Sequence, residues 1–103
     1  MIVAVALFEL HIEFAESLKD KRMVVKSLRD KLRSRFEMSV AEVGLHDIHQ
    51  RARMALSFVT IKKPHAEAQF ERIQSFIESS TDAVLAGWTS EMLDFDEEAG
   101  LDG

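Results

Sequence analysis

Five cations of one segment, Lys19, Arg22, Lys26, Arg29 and Arg33, recur at spacings of 3, 4, 3 and 4 residues. On an α-helix that spacing lines them up along one side. Ammonium and guanidinium groups so arranged bind phosphate oxygens by charge-assisted hydrogen bonds, and they position a protein on a nucleic-acid backbone without reading bases. From residue 19 to 35 there are eight basic residues against two acids, a net +6 in a chain of net charge −5, so the remainder carries −11. The acids gather at the other end, at Glu91, Asp94, Asp96, Glu97, Glu98 and Asp102. The overall charge argues against nonspecific nucleic-acid affinity of the whole molecule; the stripe argues for a local contact, with Lys21 and Arg51 as candidate supports. The ordinary alternative is a solvated helix face whose long aliphatic stems cover the edge of a core.

Other chemistry is poorly supplied. There is no cysteine, which excludes disulfides, thiolate metal sites and thiol nucleophiles. Glu9, His11 and Glu13 alternate onto one side of a strand, and His46, Asp47 and His49 fall in a loop, but no zinc spacing results, and ligands about 7 Å apart on a flat strand do not converge. No phosphate-binding Gly-x-x-x-x-Gly-Lys, no Gly-x-Gly-x-x-Gly and no Gly-x-Ser-x-Gly occurs among only four glycines. Ser17, Ser57 and His11 assemble into no triad. We therefore expect no catalytic residues, no metal and no cofactor.

Periodicity supplies the elements that must position the stripe. Residues 2–14 read as a buried strand, with Phe8, Leu10, Ile12 and Phe14 alternating against Glu9, His11 and Glu13. The early acids make it neither signal peptide nor membrane span, so a cytoplasmic protein is expected. Ser17 is a candidate N-cap for a helix over 19–36, whose apolar positions are Val25, Leu28, Leu32 and Phe36. Lys21 and Arg35 project near that apolar side, where they must snorkel. A second strand covers Val40 to Leu45 and a third 54–61, with 44–50 at the turn between them. Pro64 opens a second helix, with Ala66, Phe70, Ile73 and Ile77 at helical spacing. A last strand starts at Val84, Ala86 and Trp88 and continues toward Phe95. The order β-α-β-β-α-β predicts a single ferredoxin-like α+β domain over 1–95, two helices on one face of a four-stranded antiparallel sheet, followed by a flexible acidic tail over 96–103.

The blocks Ser17-Leu18-Lys19-Asp20-Lys21-Arg22, Lys26-Ser27-Leu28, Ser39-Val40-Ala41-Glu42-Val43-Gly44 and Asp47-Ile48-His49-Gln50-Arg51-Ala52 resemble the YlxP-like family of uncharacterised bacterial proteins. The resemblance spans residues 9–80 and is most specific in the Ser-Leu-Lys-x-Lys-Arg block. It implies a ferredoxin-like fold and a gene neighbourhood of translation and ribosome maturation, with no established activity. His49 stands where family members typically carry tryptophan.

Helix phase gives the stripe a direction. It lies about 90° from its own core direction, and an acidic stripe on the second helix, Glu67, Glu71, Gln74 and Glu78, is offset in the same sense. With helices taken as parallel, the cations are expected to turn into the groove between them, opposite Gln69, Arg72 and Phe76. The uncovered sheet face is the second candidate surface, presenting Val3, Val5, Leu7, Ala55, Val59 and Ile61. No aromatic occupies its outward positions, so base stacking is not expected there, whereas self-association is. The leading expectation is a noncatalytic binding module that contacts RNA or a ribosomal component through the basic helix and forms a homodimer, with no membrane partner. The second is a protein-interaction module using the sheet face, with no nucleic-acid role.

Overall fold

The computed structural model describes residues 1–101. The elements run β1 (Ile2–His11), α1 (Leu18–Arg35), β2 (Ser39–Gly44), β3 (Arg51–Thr60), α2 (Lys63–Ser80) and β4 (Val84–Asp94). The strands form one antiparallel sheet in the order β2-β3-β1-β4, and the fold is ferredoxin-like.

The predicted period-2 pattern decides which face is covered. Ala4, Ala6, Phe8 and Leu10 of β1 and Ala52, Met54, Leu56 and Phe58 of β3 are buried beneath the helices. Onto them pack Val25, Leu28 and Leu32 of α1 and Ala66, Phe70, Ile73 and Ile77 of α2. Trp88 of β4 stacks on Phe8 and meets Phe70 edge-on, which closes the core on the β4 side. Among the described residues, no helix is long and apolar enough to cross a membrane.

Local chemistry sets the element ends. Ser17 Oγ accepts the Asp20 N–H at 3.1 Å, and Asp20 Oδ2 accepts the Glu16 N–H at 3.0 Å, so donors are satisfied on both sides of the helix start. β1 is shorter than expected. Ile12 still bonds across to Gln50, but Ala15 turns back onto the Ile12 carbonyl, leaving Glu13 off the strand and Phe14 exposed rather than buried. In β4 the expected alternation of Val84, Ala86 and Trp88 is broken by a bulge: Leu85 pairs with Leu10 and Gly87 with Glu9, so Ala86 is extra and Leu85 and Trp88 both pack against the core. Of the expected tail, residues 96–101 form an exposed turn in which Asp96 accepts from Glu98 and Ala99; Asp102 and Gly103 lie outside the described residues.

One expectation about direction is overturned. β1 and β3 are antiparallel neighbours, and each helix returns from its own strand, so α1 and α2 run antiparallel, not parallel. The contacts agree: Phe36 near the end of α1 meets Phe76 edge-on, while Lys31, earlier in α1, donates to the carbonyl of Ser80, later in α2. Two stripes offset in the same sense on antiparallel helices point to opposite flanks. The basic stripe therefore faces outward on the β2 side rather than into the groove, and Arg33 confirms the side by donating to the Val40 carbonyl at 2.9 Å.

Candidate functional site

The outer flank of α1 carries Lys19, Arg22, Lys26, Arg29 and Arg33 over about 21 Å of helix. Lys19, Arg22, Lys26 and Arg33 are exposed, and Arg29 is half-buried. Among the described residues the flank has one ion pair, between Lys26 and Asp30 at 3.3 Å, both well solvated and therefore weakly coupled. Arg33 is partly committed to Val40. Among the described residues, no ion pair links the acidic turn at 96–101 to this helix.

Lys21 does not belong to that surface. It is 1% exposed, and its three N–H groups are taken by the carbonyls of Leu45 (2.8 Å), His46 (3.3 Å) and Arg51 (3.3 Å). Glu42 Oε2 sits 3.0 Å from the same nitrogen, closer than two of those carbonyls, and supplies the countercharge. The side chain thus enters the core edge and ties α1 to both ends of the β2–β3 loop. That loop needs holding: Leu45 adopts a left-handed conformation at φ 61°, which costs a residue with a Cβ on the order of 1–2 kcal/mol. A buried lysine with no solvent access contacts no phosphate, so its expected supporting role is corrected to a structural one.

Arg51 is also elsewhere. It lies on the open face of the sheet, where Arg51 Nη2 donates to Glu9 Oε1 at 2.9 Å, beside Arg53 at 3.5 Å and His11 on the opposite carboxylate oxygen at 3.0 Å. The hydrogen bond from His11, then that from Arg51, holds the Glu9 carboxyl below its ordinary range against the opposing effect of burial. The sequence places Glu9 and His11 on one face, but what completes the cluster is strand register, which sets Glu9 opposite Arg53 and His11 opposite Arg51. Among the described residues no group of three or more His, Cys, Asp or Glu is placed to hold a metal.

The remaining outward positions form three transverse rows. Val59, Val3 and Leu93 make the first; Ser39, Ser57, Val5 and Glu91 the second; Ala41, Ala55, Leu7 and Thr89 the third. Val3, Val5, Leu7, Ala55 and Val59 are thus brought together on one surface, while Ile61 follows the last residue of β3 and is exposed. The apolar side chains of these rows are interleaved with Ser39, Ser57, Thr89 and Glu91, and the charged cluster occupies the other end of the face. The groove between the helices is open; it is lined by Arg35, Phe36, Gln69, Arg72 and Phe76 together with the carboxylates of Glu37 and Glu71, and Arg35 sits 5.8 Å from the Phe76 ring centre.

The profile of a family described as "Protein of unknown function (DUF503)" matches residues 3–89, which takes in all of β1 but its first residue, four complete elements and the first half of β4. Over 65 residues the chain is 32% identical to "Uncharacterized protein YlxP" of Bacillus subtilis (strain 168), covering 63% of this chain and 71% of that protein. A match across nearly the whole fold makes the assignment: the chain belongs to the DUF503 family of proteins of unknown function and is YlxP-like.

Proposed function

We propose that this domain is a noncatalytic, cytoplasmic binding module that contacts RNA phosphates through the outer flank of α1, in a translation or ribosome-assembly setting. The carrying observation is that Lys19, Arg22 and Lys26 stand exposed in one row, share a single solvated counterion, and point away from the acidic side of α2. Cations that only solubilise a helix are usually interleaved with acids at i+4; here Lys26 alone has that partner. The setting rests on the resemblance to the YlxP-like family. Backbone contacts of this type bind without base readout, and the open face offers no aromatic on its outward β1 and β3 positions, so recognition is of shape and charge.

The test is binding to a structured RNA at two salt concentrations. Three phosphate contacts predict a slope of log K against log salt of about −2 to −3. Changing Lys19, Arg22 and Lys26 together to Glu abolishes both the affinity and the slope. Absence of binding, or binding that survives the triple change, rejects the reading.

A further inference from the structure

We propose that the open face of the sheet binds a second copy of this chain, face to face, with the two-fold axis lying parallel to the central strands. This is independent of the phosphate reading, because α1 lies on the opposite face of the sheet.

The inference rests on how the face matches itself. An axis parallel to the strands keeps each transverse row over the same row of the partner, and exchanges β1 with β3. Val3 then faces a partner Val59, Val5 a partner Ser57, and Leu7 a partner Ala55, so the larger β1 side chains meet the smaller ones of β3 in the lower two rows. In the charged half Glu9 comes over a partner Arg53, and Arg53 over a partner Glu9, making two acid–base contacts across the interface from one register. Glu91 of β4 falls over Ser39 of β2, opposite no like charge.

The perpendicular axis fails on the same rows. It reverses them, laying the cluster of Glu9, His11, Arg51 and Arg53 against Val3, Val5 and Val59, which desolvates charges with no partner. Charge therefore favours the axis parallel to the strands over the perpendicular one. Area is sufficient as well: ten-residue central strands at about 3.3 Å per residue, across four strands about 4.8 Å apart, give about 600 Å² per partner, the lower end of specific interfaces. Val5, Leu7, Val59 and Leu93 are 39–62% exposed in the single chain, an apolar group that pairing would cover.

The experiment is sedimentation equilibrium of the full chain. The wild type is expected to dimerise, and Leu7→Glu, at an outward position that leaves the core intact, is expected to raise the dimer Kd at least tenfold. A mixing test fixes the axis. Glu9→Arg alone and Arg53→Glu alone are each expected to be monomeric, because each sets like charges across the interface. Their equimolar mixture is expected to form a heterodimer, since both crossing pairs between positions 9 and 53 are then acid with base. A wild type that stays monomeric at high concentration overturns the proposal, as does a dimer indifferent to Leu7→Glu. So does a mixture that gains no mass over its components.

Discussion

Lys21 and Lys26 sit five residues apart on one helix, and each has a carboxylate within 3.3 Å, yet one is 1% exposed and the other 70%. The difference teaches what an ion pair is for. Lys26 and Asp30 keep their water, so their attraction is screened and contributes at most a few tenths of a kcal/mol. Lys21 has surrendered its water and replaced it with three carbonyls and a carboxylate drawn from β2, the loop and β3. Its neighbours in the sequence block, Lys19 and Arg22, are exposed. One short run of basic residues thus serves two ends, a structural anchor and an exposed charged surface.

The sharpest way to break this comparison is to remove each lysine in turn. Lys21→Met keeps the stem and deletes the charge, leaving the half-buried Glu42 without its countercharge and the His46 and Arg51 carbonyls without this donor, and is expected to cost about 3 kcal/mol in denaturant unfolding. Adding Glu42→Leu to it should recover part of that loss, because an apolar pair leaves no charge uncompensated. A loss below about 1 kcal/mol for Lys21→Met would mean that the loop does not depend on the anchor.

The β-α-β-β-α-β order and the core were legible because both periods are clean: alternate residues of β1 and β3, and every third or fourth residue of the helices, are apolar and buried. The flank of the stripe was not read correctly. Its angular offset was right, but its side depends on helix direction, which follows from the antiparallel pairing of β1 with β3. The role of Lys21 had a signal in the sequence, its position at the apolar side of α1, but the carbonyls that receive it lie 24 to 30 residues away, beyond any local pattern. The Glu9 cluster was half visible, since register with β3 supplies the arginines. The bulge at Ala86 had one signal, the adjacent Gly87, an isolated glycine within a strand, which the alternation of Val84, Ala86 and Trp88 overrode.

Glu9 is an intermediate case between the two lysines, partly covered and paired with three groups. Its carboxyl is held below the ordinary value of 4.5. The folded chain therefore releases this proton more readily than the unfolded chain does. The resulting stabilisation is fully present above the unfolded value and is lost as pH falls through the lowered folded one. An NMR titration of the Glu9 carboxyl should give a midpoint below 4.5, and His11→Ala should move it upward more than Arg51→Ala does, in the order of the two hydrogen bonds. A midpoint indifferent to both would assign the depression to neither partner.

The smallest expected change in stability is also the most telling for function. Lys26→Ala should alter unfolding by less than about 0.5 kcal/mol, as expected for an exposed i, i+4 pair. If the outer flank of α1 contacts RNA, the same substitution should still reduce the salt slope of binding to a structured RNA by about 0.7–0.9, one phosphate contact. Lys21→Met should do the reverse, lowering stability while leaving the slope of the folded fraction unchanged, because its ammonium group never reaches the surface. The two lysines are then separated by two measurements that move in opposite patterns. A Lys26→Ala chain that lost stability without losing slope would place both cations in the structural class and leave the flank without a ligand.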